Sequence, residues 1–149
     1  MRPERYKEIL KALYTRSRPY HDLIAQAEES GTTYDGIVEE ILQRVRDEGR
    51  QRIRVVDVAF GTGHYLRVAR ARGVFACGGD LSPYACRKAK GTDPEIPVFQ
   101  SDAESLPLKD GVFDLAICLQ VLEHTPFPER IAAEIARVLR PGGYLFLAA

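Results

Sequence analysis

Apolar and polar positions along the chain change period several times, and those changes mark out its elements. Three stripes at helical spacing come first: Tyr6, Ile9, Leu10, Leu13 and Tyr14; Tyr20, Leu23, Ile24 and Ala27; and Ile37, Val38, Ile41, Leu42 and Val45. A glycine break, ESGTTYD, separates the last two, with Thr33 as the expected N-cap of the third helix. From Arg54 a β-branched run, RVVDV, leads into a loop holding Gly61 and Gly63, and from Tyr65 the period is helical again, with Leu66, Val68 and Ala69 on one face. The pattern then predicts strand 74–79, helix 82–90, strand 96–100, strand 112–118, helix 128–139 and strand 144–148. RPGG at 140–143 is expected to stop the last helix and turn the chain into the fifth strand, YLFLAA, whose apolar run suits a strand covered on both faces. Such alternation implies an α/β fold, a doubly wound parallel sheet with helices on both faces. Residues 1–52 read as an N-terminal helical cap and 53–149 as the sheet-bearing core, one structural domain overall.

The strand, glycine loop and helix around residue 61 form a nucleotide-binding turn, because glycine has no Cβ and lets the backbone approach a ribose or phosphate closely. A dinucleotide fingerprint needs a third glycine for helix–strand packing, and Leu66 stands in its place. Asp57 precedes the loop by two residues; a carboxylate there offers nothing to a pyrophosphate but attracts a ligand carrying an ammonium and a sulfonium. The loop therefore favours S-adenosylmethionine over a dinucleotide. Asp80 ends the second strand, where either cofactor's ribose hydroxyls could be held. Open α/β sheets bind ligands beyond the carboxyl ends of their strands, and Asp57, Asp80, Asp102 and Leu119-Gln120 all fall on that edge.

Four segments, VVDVAFGTG, GGDLS, VFQSDAESLPLKDGVFDLAICLQVLEHTP and IAAEIARVLRPGGYLFLAA, resemble the class I S-adenosylmethionine-dependent methyltransferases, particularly the ubiquinone/menaquinone-biosynthesis and small-molecule group, from about Ile53 to the C-terminus. The resemblance implies a Rossmann-like sheet in the order 3-2-1-4-5 and S-adenosyl-L-methionine as cofactor. By the same resemblance, Asp57, Ala59, Phe60, Gly61 and Gly63 form the cofactor turn, and Asp80 with Leu81 holds the ribose. Asp102 accepts from the adenine amine, Ala103 offers its N–H to the ring, and the backbone of Leu119 and Gln120 faces the amino-acid portion. The chain departs from D-x-G-x-G-x-G at Ala59, and Phe60 adds bulk at the same turn, so the space near the methionine part is expected to narrow. Resembling enzymes use their N-terminal helices to cover the cofactor; Tyr20, His21 and Tyr34 are the polar-tipped aromatics there, with helix packing as the alternative role. Glu123-His124 follows the fourth strand, where His124 either serves as general base or caps the loop before Thr125-Pro126. The resembling fold continues through two more strands, so residues 144–149 are an expected edge that pairs with a second copy or a partner subunit.

Composition narrows the surroundings. Lys+Arg 21 balances Asp+Glu 21, so no overall field recruits nucleic acid or anionic lipid. The charged start MRPERYKEIL lacks an apolar leader core and no run reaches membrane-span length, which points to the cytoplasm. Cys77, Cys86 and Cys118 have no C-x-x-C spacing, and His21, His64 and His124 are scattered, so neither metal nor disulfide is indicated. Cys77 and Cys118 fall inside predicted strands and are expected to be buried. The expected function is S-adenosylmethionine-dependent methyl transfer to a small-molecule acceptor. A non-catalytic S-adenosylmethionine-binding or regulatory subunit is the alternative, and an NAD(P)-dependent oxidoreductase is disfavoured by Leu66 and the DAESLP segment.

Overall fold

The computed structural model describes residues 34–149. Its elements are α1 (Asp35–Asp47), β1 (Arg54–Val58), α2 (His64–Ala71), β2 (Phe75–Asp80), α3 (Pro83–Thr92), β3 (Val98–Gln100), β4 (Phe113–Leu119), a 3-10 turn (Leu122–His124), α4 (Pro128–Val138) and β5 (Leu139–Ala148). The five strands lie parallel in the order β3-β2-β1-β4-β5, the order the family resemblance implied.

Alternation along the strands splits the core in two. Val55, Leu115 and Ile117 point to the face covered by α1, α2 and α3, and meet Val38, Leu42, Leu66, Ala85 and Ala89. Val56, Val58, Ala116 and Cys118 point the other way, onto Ile131, Ile135 and Val138 of α4. Every central strand is therefore buried on both sides, which is why its sequence is continuously apolar rather than alternating. The third of the predicted N-terminal helices is α1, and its Val38, Leu42 and Val45 are wholly buried in the same core as β1. The other two predicted helices, Thr33, Tyr20 and His21 lie outside the described residues. The N-cap position of α1 belongs to Tyr34, with no side-chain cap.

The expected RPGG turn is corrected. α4 ends at Val138 and β5 begins at Leu139 with no gap, and the register pairs Phe113 with Leu139 but Leu115 with Tyr144. Residues 140–143 thus bulge out where β4 has only Asp114, and Gly142 takes φ +75° to permit it. The bulge sets Arg140 against Asp114: its Nε donates to Asp114 Oδ1 at 2.5 Å, while the Arg54 N–H donates to Oδ2 at 2.9 Å. Arg140 also reaches Glu48 at 3.3 Å, and the Tyr144 hydroxyl donates to the same carboxylate at 2.6 Å. One buried carboxylate thereby joins the beginnings of β1, β4 and β5 and the end of α1. The covering of β5 is also corrected: Tyr144 and Phe146 are half-buried, with the Tyr34 ring edge-on to Phe146 at 5.4 Å, but Leu145 and Leu147 remain 43% and 44% exposed.

A second clasp fixes the loop before β4. Arg137 of α4 donates to the carbonyls of Leu106 and Leu108, to Asp110 and to Glu134, and Glu134 in turn accepts the Leu106 N–H at 2.8 Å. All of these are charge-assisted bonds.

Asp114→Ala is expected to lower unfolding free energy by about 3–5 kcal/mol, because Arg140 is left in a site built for an ion pair. Urea denaturation checks this, and a loss under about 1 kcal/mol would place the pair in the class of solvent-screened surface bridges.

Candidate functional site

The sheet opens between β1 and β4. Their pairing ends at Asp57 opposite Ile117, whereas β1 stays with β2 as far as Val58 opposite Gly79, and β4 stays with β5 as far as Leu119 opposite Ala148. One residue further, the Ala59 N–H donates to Gly79 O and the Gln120 N–H to Ala148 O, both at 2.7 Å. Each chain turns outward to follow its other neighbour, so a crevice forms at the point where strand order reverses. Ala59 and Gln120 reach those acceptors with φ +60° and +54°, the only non-glycine residues with positive φ among the described residues. Gln120 carries no glycine-like signal in the sequence. Both conformations are disfavoured for residues with a Cβ and characteristic of functional sites.

Asp57 lies at the base of this crevice, buried at the end of β1. Its charge, after burial itself, helps push the Cys77 thiol up to about 11 and the Cys118 thiol up to about 12; Glu123 adds to the latter. Burial first, then Asp80, raises the Cys86 thiol to about 11. All three thiols are neutral at physiological pH, and the buried Cys77 and Cys118 have the packing role expected of them.

The glycine loop is held from the side. Gly61 N–H donates to Asp80 Oδ2 at 2.9 Å, and Ser82 N–H to Asp80 Oδ1 at 2.7 Å, so the carboxylate that ends β2 ties the β1–α2 loop to the β2–α3 loop. Asp80 is consequently a buried residue, not an exposed loop tip. Gly63 adopts φ +80° and has Ala89 Cβ 3.3 Å and Arg67 Nη1 3.4 Å from where its own Cβ would be, so glycine is required twice over. Arg67 Nη1 also donates to Thr62 O at 2.9 Å, closing the loop from its far side. The bulk of Phe60 goes into the core: its ring is buried, and a Cβ on Gly78 would sit 2.8 Å from it. Leu81 lies beside Asp80 with its carbonyl accepting from Gln100 at 3.1 Å.

Asp102 follows β3 by two residues and accepts the Glu104 N–H on Oδ1 at 2.9 Å, forming a tight turn around Ala103. Beyond β4, Glu123 is exposed and His124 half-buried within the 3-10 turn, whose last N–H donates to Val121 O at 2.9 Å. The topology thus sets Asp57, Ala59, Gly61, Asp80, Asp102, Gln120 and His124 on one edge of the sheet. A contact that sequence reading missed joins the first turns of α1 and α2: His64 Nε2 lies 2.7 Å from Asp35 Oδ1, and Tyr34 N–H donates to the Tyr65 hydroxyl at 3.2 Å. Among the described residues no group of histidine, cysteine and carboxylates is arranged to hold a metal, and no helix is long and apolar enough to cross a membrane.

The methyltransferase domain family matches residues 56–147, from the middle of β1 to all but the last residue of β5. The chain belongs to this family. A ubiquinone biosynthesis O-methyltransferase from Thiobacillus denitrificans is 33% identical over 101 residues, 62% of this chain and 42% of that protein. Among solved structures, an S-adenosylmethionine-dependent methyltransferase from Mesorhizobium loti is 28% identical with a TM-score of 0.60 over 64% of this chain and 46% of its own. The [4+2]-cyclase SpnF is 32% identical with a TM-score of 0.62, over 76% and 44%. The methyltransferase domain described here therefore spans less than half the length of these relatives. Family and fold imply S-adenosyl-L-methionine as the cofactor, and the residues present fit it: a buried acid at the crevice base, a glycine loop with nothing near the Cβ position of Gly61, and an acid at the end of β2.

Ala59 supplies a test of the crevice geometry. A left-handed alanine costs roughly 1–2 kcal/mol, which glycine would relieve while adding about 0.4–1 kcal/mol of unfolded-chain entropy. Ala59→Gly should therefore leave thermal stability unchanged or slightly raised, whereas β-branched Ala59→Val should lower it sharply. An Ala59→Val protein as stable as the parent would mean that this backbone is not left-handed.

Proposed function

We propose that this chain carries the cofactor-binding part of an S-adenosylmethionine-dependent methyltransferase whose acceptor is a small molecule. The observation that carries the reading is the crevice between β1 and β4, with buried Asp57 at its base and Asp80 bonded to the Gly61 N–H at its side. Bound there, the sulfonium supplies a methyl group activated by a neutral leaving group. The protein's own work is then mostly placement, with a base only where the acceptor must lose a proton.

Asp57 draws the ammonium toward the crevice, where low surrounding polarity strengthens the attraction. Asp80 holds the ribose hydroxyls: two backbone N–H groups fix its orientation, and each oxygen of an ionised carboxylate can accept a second bond. Asp102 and the Ala103 N–H recognise the adenine edge, with the turn closed by Glu104 N–H keeping them in place. The backbone at Leu119 and Gln120, where β4 bends away, faces the amino-acid portion. His124 accepts the proton of an O–H or N–H acceptor, with Glu123 beside it. The cyclase among the similar structures shows that this fold serves more than one chemistry, so the identity of the reaction rests on these acceptor-side groups rather than on the cradle. Free Cys77, Cys86 and Cys118 suit a cytoplasmic location.

The partner reading is a second copy joined through β5. Leu145 and Leu147 are exposed on a strand that, among the described residues, has a neighbour on one side only. Such an edge favours pairing, and a two-fold axis would bury both leucine pairs together. Light scattering should return a dimer for the parent and a monomer for Leu145→Lys/Leu147→Lys; a monomeric parent would leave self-pairing without support.

Calorimetric titration with S-adenosylmethionine, S-adenosylhomocysteine and NAD tests the cofactor site, with binding expected for the first two and none for NAD. Asp80→Asn should weaken S-adenosylhomocysteine by roughly 1.5–3 kcal/mol, the range for hydrogen bonds to a charged group. Parent-like affinity in that variant would remove Asp80 from the ribose.

A further inference from the structure

Glu104 sits between the two halves of the proposed site. It follows the Asp102-Ala103 turn, and its side chain is only 6% exposed. One carboxylate oxygen accepts the Thr125 hydroxyl at 3.2 Å, and the other faces Arg130 Nη1 at 3.5 Å. Thr125 immediately follows the 3-10 turn that carries Glu123 and His124, and its oxygen accepts the Phe127 N–H at 3.1 Å. Arg130, in the first turn of α4, lies 4.2 Å above the Phe127 ring. Glu104 thus donates its backbone N–H to Asp102 and offers its carboxylate to Thr125.

We infer that Glu104 and Thr125 form a positioning clasp that transmits occupancy of the adenine turn to the acceptor-side turn at Leu122–His124. The physical basis is geometric. Asp102 Oδ1 fixes the Glu104 backbone, the buried carboxylate fixes the Thr125 hydroxyl, and Thr125 fixes the start of the segment leading into α4. A mostly buried carboxylate is costly to leave without its donors, so ordering at one end of this chain of bonds favours ordering at the other. Each link differs in chemistry from its neighbours, and each can be removed singly. The clasp rests on the cofactor reading above. It assigns neither Glu104 nor Thr125 to contact with the cofactor; both act through other residues.

Hydrogen exchange of the whole chain, with and without saturating S-adenosylhomocysteine, tests the inference and separates it from that reading. In the parent, the ligand should slow exchange at residues 60–63, 80–82 and 102–105, and also at 121–127 by about fivefold or more. Thr125→Val removes the hydroxyl at nearly constant size. It should keep protection at the first three segments, bind S-adenosylhomocysteine within about threefold of the parent, and lose the response at 121–127. Thr125→Ser, which keeps the hydroxyl, should restore that response, a rescue that a packing role for the threonine methyl would not give. Glu104→Gln retains an acceptor for Thr125 but not the charge facing Arg130, and should give an intermediate response. Persistence of the full response in Thr125→Val would overturn the clasp. So would a parent protected at 60–63 and 80–82 with no change at 121–127, a result that leaves the cofactor reading standing. A parent with no protection anywhere would remove the cofactor reading and the clasp together.

Discussion

Two backbone hydrogen bonds, Ala59 N–H to Gly79 and Gln120 N–H to Ala148, fix where the sheet of this domain opens. They extend the β1–β2 and β4–β5 ladders by one residue each after the β1–β4 ladder has stopped. The cost is a left-handed conformation at two residues that have side chains. That strain is local, of order 1–3 kcal/mol for each residue, and it is sustained by strands buried on both faces.

The family motifs acquire a physical meaning once their contacts are seen. DAESLPLKD and EIARVLRPGG lie some thirty residues apart, and they hold each other: Arg137 and Glu134 bind the backbone at Leu106 and Leu108, and Asp110 completes the set. Their polar residues serve mainly to bring a loop and a helix to fixed positions beside β4. The neighbouring RPGG works similarly. It is a bulge that aims Arg140 at Asp114, and its glycines give the backbone room for the excursion.

Much of the fold could be read from local pattern. The runs at 54–58, 74–79 and 112–118 differ from helical stripes in period, and their burial on both sides explains why they lack alternation. The acids near the strand ends stood out because apolar residues precede them, with Asp80 as the last residue of β2, Asp57 one residue before the end of β1 and Asp102 two residues after β3. What escaped were interactions between residues distant in the chain. Nothing near Asp114 announces Arg140, and nothing near Glu48 announces Tyr144, which is 96 positions away. Phe60 was misjudged for a related reason: its ring fills space that Gly78 leaves vacant in the next strand. Paired glycines inside a strand do signal a close approach, but not by which residue.

The site divides into parts held with unequal firmness. Asp57 is fixed by a central strand and Asp80 by two backbone donors, so the end proposed for the ribose and methionine is built on rigid elements. The side proposed for the acceptor depends on a short 3-10 turn whose attachments run through Thr125, Glu104 and the start of α4. Sites gain precision from the elements that carry them. A rigid cradle beside a lightly tethered turn allows one cofactor geometry to be kept while the acceptor-facing residues vary. A division of that kind is compatible with the similarity of this chain both to an O-methyltransferase and to a cyclase.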